Sequence, residues 1–138
     1  MSLVVEGEAM QPRPGHTGSV ELQTNFHPLW SEGMQLYWKD FKPGDKLSLA
    51  FDSEVEGIYY AKIQFTVAPD YGTFALRVND KVITPEINLT NEEVSLLLVN
   101  LGQVNLKKGE NELQIESAAL ASGHDTGFFG IDKLTLRK

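Results

Sequence analysis

Apolar and polar residues alternate along most of this chain. In the stretch 59–67 the odd positions are aromatic or aliphatic, and Lys62, Gln64 and Thr66 stand between them. The stretches 46–51, 73–79 and 112–116 repeat this alternation. Because successive residues of a strand point to opposite faces of a sheet, each stretch predicts a strand with one buried face.

Residues typical of turns fall between these stretches. Pro43 and Gly44 suit a type II turn, since proline fixes φ and glycine accepts a positive φ. Asn79 and Asp80 suit a tight hairpin turn, and 107–111 reads as another turn. Signals for helices are weak. The sequence therefore predicts an all-β jelly-roll sandwich of two antiparallel sheets with roughly eight to ten strands.

Composition narrows the classes of function. A chain of 138 residues that is 41% hydrophobic fits one globular domain, taken as 1–138. The net charge of −7 argues against nucleic acid and anionic membranes as partners, since both require a cationic surface. The sequence contains no cysteine, which excludes disulfides and thiolate metal sites.

Three acids at the two ends of the chain stand where a strand would bury them. Glu6 and Glu8 share one face of a predicted first strand, and Asp132 shares the face of Leu134 and Leu136 in the last. A buried carboxylate is costly unless a partner compensates its charge. If the ends meet, a shared cation is one interpretation. The other is that these acids lie at exposed strand ends and pair with lysines.

The order of several short motifs resembles the jelly-roll carbohydrate-binding modules of families 6 and 35. An acid-small-acid strand opens the chain at 6–8, and a Gly-Tyr strand follows at 57–59. A strand ending in a short turn spans 76–80, a basic turn spans 106–111, and an Ile-Asp strand closes the chain at 131–134.

Two further segments, 31–38 and 68–72, are similar to carboxy-terminal modules of glycoside hydrolase family 172-type proteins. The resemblance implies a galactose-binding-domain-like fold and a non-catalytic module of a larger bacterial polysaccharide-degrading protein, secreted or periplasmic. It also implies that Glu6, Glu8 and Asp132 hold a structural Ca²⁺, an ion bound by oxygen ligands. We expect no enzymatic activity, because the sequence shows no catalytic motif.

Binding of a carbohydrate requires aromatic faces for the sugar ring and polar groups for its hydroxyls. Loop residues of these types are the candidates, and Tyr71, in the turn 70–72, is predicted to be exposed. The candidate ligand-binding residues are Trp30, Asp70, Tyr71, His124, Asp125 and Phe128. For each aromatic the alternative is a place in the core, since buried aromatics are common in sandwiches. By alternation, one of Phe128 and Phe129 is core.

A second hypothesis for the whole chain is a structural accessory domain that packs on a catalytic domain or a second subunit. The stretch 88–99 contains no aromatic residue, although family 6 modules usually place a tryptophan there. That departure favours the accessory domain. A groove lined by exposed aromatics favours binding, and a flat apolar patch favours an interface.

Overall fold

The computed structural model describes residues 2–24 and 34–138. The described chain forms strands and a single 3-10 helix, Gly7–Ala9. The strands are β1 Ser2–Glu6, β2 Gln11–Pro12, β3 Ser19–Thr24, β4 Met34–Phe41, β5 Lys46–Ser53, β6 Gly57–Val67, β7 Thr73–Val78, β8 Lys81–Asn88, β9 Ser95–Leu106, β10 Gly109–Ala119 and β11 Gly127–Arg137. Within these ranges no helix is long and apolar enough to cross a bilayer.

The strands form two sheets whose strand pairings are antiparallel. Sheet A has the order β3-β4-β11-β6-β9, with β1 also paired to β11, and sheet B has the order β2-β5-β10-β7-β8. Strands β4 and β1 occupy successive halves of one edge of β11, and β6 occupies the other edge. The predicted all-β sandwich of two antiparallel sheets is confirmed.

Alternating residues of both sheets fill the space between them. In β6 the odd positions from Tyr59 to Val67 are buried, as the pattern predicts. Trp38 stacks on Phe41 with ring centroids 3.8 Å apart, and the edge of Phe74 meets both Phe41 and Phe129. Large aromatic groups from both sheets thus contact one another, which stabilises the sandwich through buried apolar area and edge-to-face packing.

The turn between β7 and β8 has the predicted tight form. Asn79 and Asp80 adopt φ values of 49° and 67°, the pair of left-handed conformations that a type I′ hairpin requires. The Asn79 amide group donates to Asn111 Oδ1 at 2.9 Å, which ties this hairpin to the neighbouring turn.

The face of sheet A that points away from the core is called the outer face here. Its residues alternate along each strand with those that face the core. It therefore carries Gln35 and Tyr37 of β4 and the even positions of β6. A bulge between Ile131 and Lys133 changes the alternation of β11, so that Lys133, Thr135 and Arg137 lie on the outer face.

Candidate functional site

The two ends of the chain meet, as a cation shared between them would require. β1 pairs with the second half of β11, and Glu6 stands opposite Lys133. The expectation that Glu8 shares the strand face of Glu6 is wrong. The strand ends at Glu6, and Met10 N–H donates to Gly7 O at 3.1 Å to close the 3-10 turn, so strand alternation does not reach Glu8.

Asp132 is fully buried, but not by the predicted core-facing alternation. It is the extra residue of the bulge in β11, and its Oδ2 accepts a hydrogen bond from Gln64 Nε2 at 2.6 Å. Since Gln64 lies on the outer face, the carboxylate is directed to that side of the sheet. The bulge is the physical reason that parity with Leu134 and Leu136 does not hold.

Among the side chains that the structure describes, no group of three or more histidines and acids is arranged to hold a metal ion. The side chain of Glu8 lies outside that description, so the three-acid calcium site at Glu6, Glu8 and Asp132 stays a prediction. The oxygen atoms around Asp132 suit Ca²⁺, because a buried carboxylate beside backbone carbonyls is typical of calcium ligands. Gly7 lies against such carbonyls, since a Cβ there would be 2.2 Å from Ile131 O.

A pocket of about 340 Å³ opens where the outer face of sheet A meets the loop after β6 and the loop before β11. Its volume is within the range of small-molecule sites. It is lined by Gln23, Tyr37, Thr66, Ala68, Pro69, Asp70, Tyr71, Val94 and His124. It therefore brings the predicted residue His124 together with Asp70 and Tyr71, which are distant from it in the sequence.

The floor of this pocket is a network of uncharged polar side chains centred on Gln35. Gln35 Nε2 donates to Gln23 Oε1 at 2.7 Å and to the Tyr71 hydroxyl at 3.3 Å. The Thr66 hydroxyl donates to Gln35 Oε1 at 2.5 Å. Because Gln35 is fully buried, these bonds compensate the desolvation of its amide and fix the floor in one arrangement.

Gly130 makes room for this network. The Gln35 side chain crosses β11 at Gly130 on its way to Thr66 of β6, and a Cβ on Gly130 would be 2.1 Å from Gln35 Oε1. Any larger residue would therefore displace the glutamine amide. The sequence analysis missed both residues, since a glutamine and a glycine in strands give no distinctive signal.

The predicted exposure of Tyr71 is wrong, because only 3% of its surface is accessible. Its loop folds back on the sheet, with Tyr71 N–H donating to Ala68 O and the Thr90 hydroxyl donating to Tyr71 O. Burial raises the pKa of Tyr71, and its hydrogen bond with Gln35 offsets part of that rise. Tyr71 therefore presents its neutral hydroxyl to the pocket, and its ring has no accessible face for a ligand.

The aromatic wall of the pocket is Tyr37 instead. Its ring stacks on Phe128 at 6.2 Å between centroids and 13° between planes, and both rings are half-buried. Burial first, and then the carboxylates of Asp70, Asp40 and Glu21, raise the pKa of Tyr37 to about 12. Its hydroxyl therefore stays protonated near neutral pH, beside the acceptor Asp70.

The remaining candidates lie around this pocket or outside the described residues. His124 is exposed at its rim, and the adjacent Asp125 is exposed and does not line it. Phe128 supports Tyr37, and Phe129 is the core member of its pair, as alternation predicts. Trp30 lies outside the described residues. From the stretch without aromatics, Val94 contributes to the wall.

A larger cleft of about 650 Å³ lies at the opposite end of the sandwich, between the β7–β8 and β9–β10 turns. Among its described lining residues none is aromatic. Arg13 there pairs with Glu110 at 3.3 Å and with Glu112 at 3.4 Å. Without an aromatic face, this cleft offers little to a sugar ring.

These features define a jelly-roll β-sandwich with a small pocket beside one sheet, and known structures share that architecture. A family 35 carbohydrate-binding module from an environmental isolate superposes with a TM-score of 0.66 at 19% identity, covering 99% of this chain and 93% of its own. A family 35 module from Clostridium thermocellum gives a TM-score of 0.64 at 13% identity, with 99% and 97% covered.

Parts of larger proteins are similar as well. A Paenibacillus xanthan lyase matches with a TM-score of 0.82 at 15% identity over 98% of this chain, which spans only 13% of the lyase. The Podospora anserina GH26-CBM35 β-(1,4)-mannanase matches with a TM-score of 0.63 at 19% identity, and 27% of its length is covered. Neither a family model nor a curated protein matches the sequence. At these identities the likeness is one of fold.

Proposed function

We propose that this chain is a non-catalytic carbohydrate-binding module that binds a neutral sugar in the pocket walled by Tyr37. One observation carries the proposal: an aromatic side chain and a fixed, uncharged polar floor meet in one concave site. The apolar face of a sugar packs against an aromatic ring, while its hydroxyls exchange hydrogen bonds with fixed donors and acceptors. The likeness in fold to family 35 modules supports this interpretation.

The described residues assign distinct roles within the pocket. Tyr37 supplies the ring and a neutral hydroxyl donor, and Asp70 supplies an acceptor for sugar hydroxyls. Thr66 and Gln23 form the floor through their bonds to Gln35, so the bound sugar meets groups that are already ordered. Such preorganisation reduces the entropic cost of binding.

Isothermal calorimetry with a panel of neutral oligosaccharides tests the proposal. We expect at least one of them to bind, and Tyr37→Ala to weaken that binding by about tenfold through loss of the aromatic contact. Tyr60→Ala is the matched control, because Tyr60 is an exposed tyrosine of β6 outside the pocket. The absence of heat with every sugar, or equal losses in both variants, would contradict the proposal.

The calcium site is part of this proposal. An ion bound by Glu6, Glu8 and Asp132 would link the first strand to the last. It would therefore stabilise the fold and take no part in sugar binding. An ion that binds only the folded state raises the melting temperature by mass action. Chelation of a calcium-loaded sample should therefore lower the melting temperature, and Asp132→Asn should remove that response. An unchanged melting curve would contradict it.

The parent protein is proposed from the same resemblance. We expect the module to belong to a larger secreted or periplasmic bacterial protein that degrades polysaccharides, of the glycoside hydrolase family 172 type. Support comes from the xanthan lyase and the mannanase, because the region that matches this chain is only a small part of each protein. The genomic context of the sequence tests this directly, because a neighbouring catalytic domain in the same reading frame is expected.

A further inference from the structure

The outermost strands of the two sheets differ in how their free edges are protected. They are β3 and β9 in sheet A, and β2 and β8 in sheet B. Charged residues, prolines and short length keep an edge strand from pairing with another chain. β2 is two residues long and ends at Pro12, β3 carries Glu21, and β8 carries Glu86. In contrast, β9 carries neither a charge nor a proline over its twelve residues, Ser95–Leu106.

The free edge of β9 also exposes apolar side chains. β9 pairs with β6 along its length, and among the described residues no strand pairs with its other edge. Leu98, which stands opposite Gln64 on the outer face, is 56% exposed. Leu97, which stands opposite Phe65 on the core side, is 38% exposed because it lies at this edge. A long, uncharged strand with an exposed apolar edge is a template for pairing with a further strand.

Charged residues flank β9, with opposite signs at its two ends. The exposed acids Glu92 and Glu93 precede the strand, and the exposed lysines Lys107 and Lys108 follow it. None of the four takes part in the ion pairs of the described chain. When two copies of β9 lie side by side in antiparallel orientation, the acids of each copy come beside the lysines of the other. A parallel pair would instead set like charges against one another, which is destabilising.

One register of this pairing keeps every residue on its own face of the sheet. A bulge leaves Leu101 without an opposite residue in β6, so the alternation of β9 changes there. Leu98 before the bulge and Gln103 after it therefore both lie on the outer face. With a two-fold axis at the bulge, Leu98 of one copy stands opposite Gln103 of the other. The same register sets Glu93 opposite Lys108 of the second copy, just beyond the ends of the strands.

From these observations we propose that the free edge of β9 binds the same edge of a second copy of this chain, antiparallel and about a two-fold axis. The two copies of sheet A then form one continuous sheet. The charges at the ends of β9 fit a copy of the same strand, whereas any other partner would have to carry the same charge pattern. Because a two-fold interface is closed, it also covers an edge that would otherwise promote aggregation.

Sedimentation velocity over a concentration series of the chain tests the proposal. An interface made by one pair of strands is small, so we expect a reversible dimer with a Kd of about 1–100 μM. A chain that stays monomeric up to about 1 mM would overturn the proposal, since this exceeds the expected Kd by at least tenfold. Species that grow beyond the dimer as concentration rises would also overturn it, because a two-fold interface cannot propagate.

Lysine substitutions at two similarly exposed positions locate the interface. Leu98→Lys places a charge on the free edge of β9 and should raise the Kd of the dimer by at least about tenfold. Val4→Lys is the matched control: Val4 is a 53% exposed residue of β1, and its substitution makes the same change of net charge. The control should leave the Kd unchanged. Equal weakening in both variants, or an unchanged dimer with Leu98→Lys, would overturn the proposal.

A charge exchange tests the antiparallel orientation and the identity of the partner. Glu93→Lys sets like charges beside Lys108 of the second copy at both ends of the interface, and should raise the Kd by about threefold to tenfold. Adding Lys108→Glu restores opposite charges with their positions exchanged, so the double variant should recover the Kd of the unchanged chain. Recovery requires that both partners carry both substitutions, as two copies do. A double variant that associates no better than Glu93→Lys alone would overturn the proposal.

Discussion

At one end of the outer face of sheet A, polar side chains are buried against one another; at the other end, charged side chains face water. Around Gln35, each polar group bonds to a neighbour and the set is uncharged. Around Lys62, the side chains of Lys62 and Arg137 are exposed and take part in none of the ion pairs among the described residues. The first arrangement stabilises the fold and shapes a site, whereas the second leaves its charges in water.

The energetic consequences of the two arrangements differ in the same way. Removing one member of a buried network leaves its partners desolvated and unbonded, which costs about 1–3 kcal/mol for each group. Removing an exposed charge changes stability by less than about 0.5 kcal/mol. Stability measurements therefore report on the buried network around Gln35, whereas exposed charges such as Lys62 leave stability nearly unchanged. The predictions below use this contrast.

The largest expected effect comes from Gln35→Leu, which keeps the volume of the side chain and removes its amide. Thr66 and Tyr71 then each lose a hydrogen bond to the Gln35 amide in a buried site, so we expect a loss of about 3 kcal/mol in the free energy of unfolding. Urea unfolding measures it through the midpoint at constant slope. Lys62→Gln is the matched control and should stay within about 0.5 kcal/mol of the unchanged protein. Equal losses in both variants would remove the contrast.

A smaller effect is expected from Gly130→Ala. The added Cβ would overlap the Gln35 amide, so the network must shift at a cost of about 2 kcal/mol. The cause is tested by a double-mutant cycle with Gln35→Ala, which removes the group that the methyl meets. The two losses should be less than additive. Full additivity would show that Gly130 matters for another reason, such as strand conformation.

Gly130 also illustrates what the sequence can and cannot predict. Alternation in 59–67 and the turn at Asn79 predict strands because each depends on local geometry. The meeting of β1 with β11 was predictable because acids at both ends suggested it. The path of Gln35 across Gly130 depends on the register between β4, β11 and β6, which no local pattern encodes.

The candidate site follows the same division. Loop position and residue type predicted Asp70, Tyr71 and His124 as neighbours of a site, and the pocket brings them together. Exposure was not predictable for Tyr71, because its burial depends on how its loop folds back to Thr90. The bulge in β11 likewise moved Asp132 out of its predicted alternation.

The smallest expected effect concerns Tyr71→Phe and alkaline pH. Loss of the hydroxyl that accepts from Gln35 should cost about 1 kcal/mol at neutral pH. An unfolded tyrosine releases its proton near pH 10, whereas burial raises the pKa of Tyr71 in the folded chain. Above pH 10 the unfolded state therefore binds fewer protons, and stability falls as pH rises.

This contribution is fully present below pH 10 and is lost above it, so the stability advantage of the unchanged protein over Tyr71→Phe should shrink between pH 10 and higher values. Tyr37, whose pKa is raised to about 12, also makes the free energy of unfolding fall at alkaline pH. It does so in both proteins, so its effect largely cancels in the difference. Urea unfolding at a series of pH values measures that difference. A difference that stays constant across the alkaline range would mean that the Tyr71 hydroxyl ionises as readily when folded, and that the pocket floor is open to water as Lys62 is.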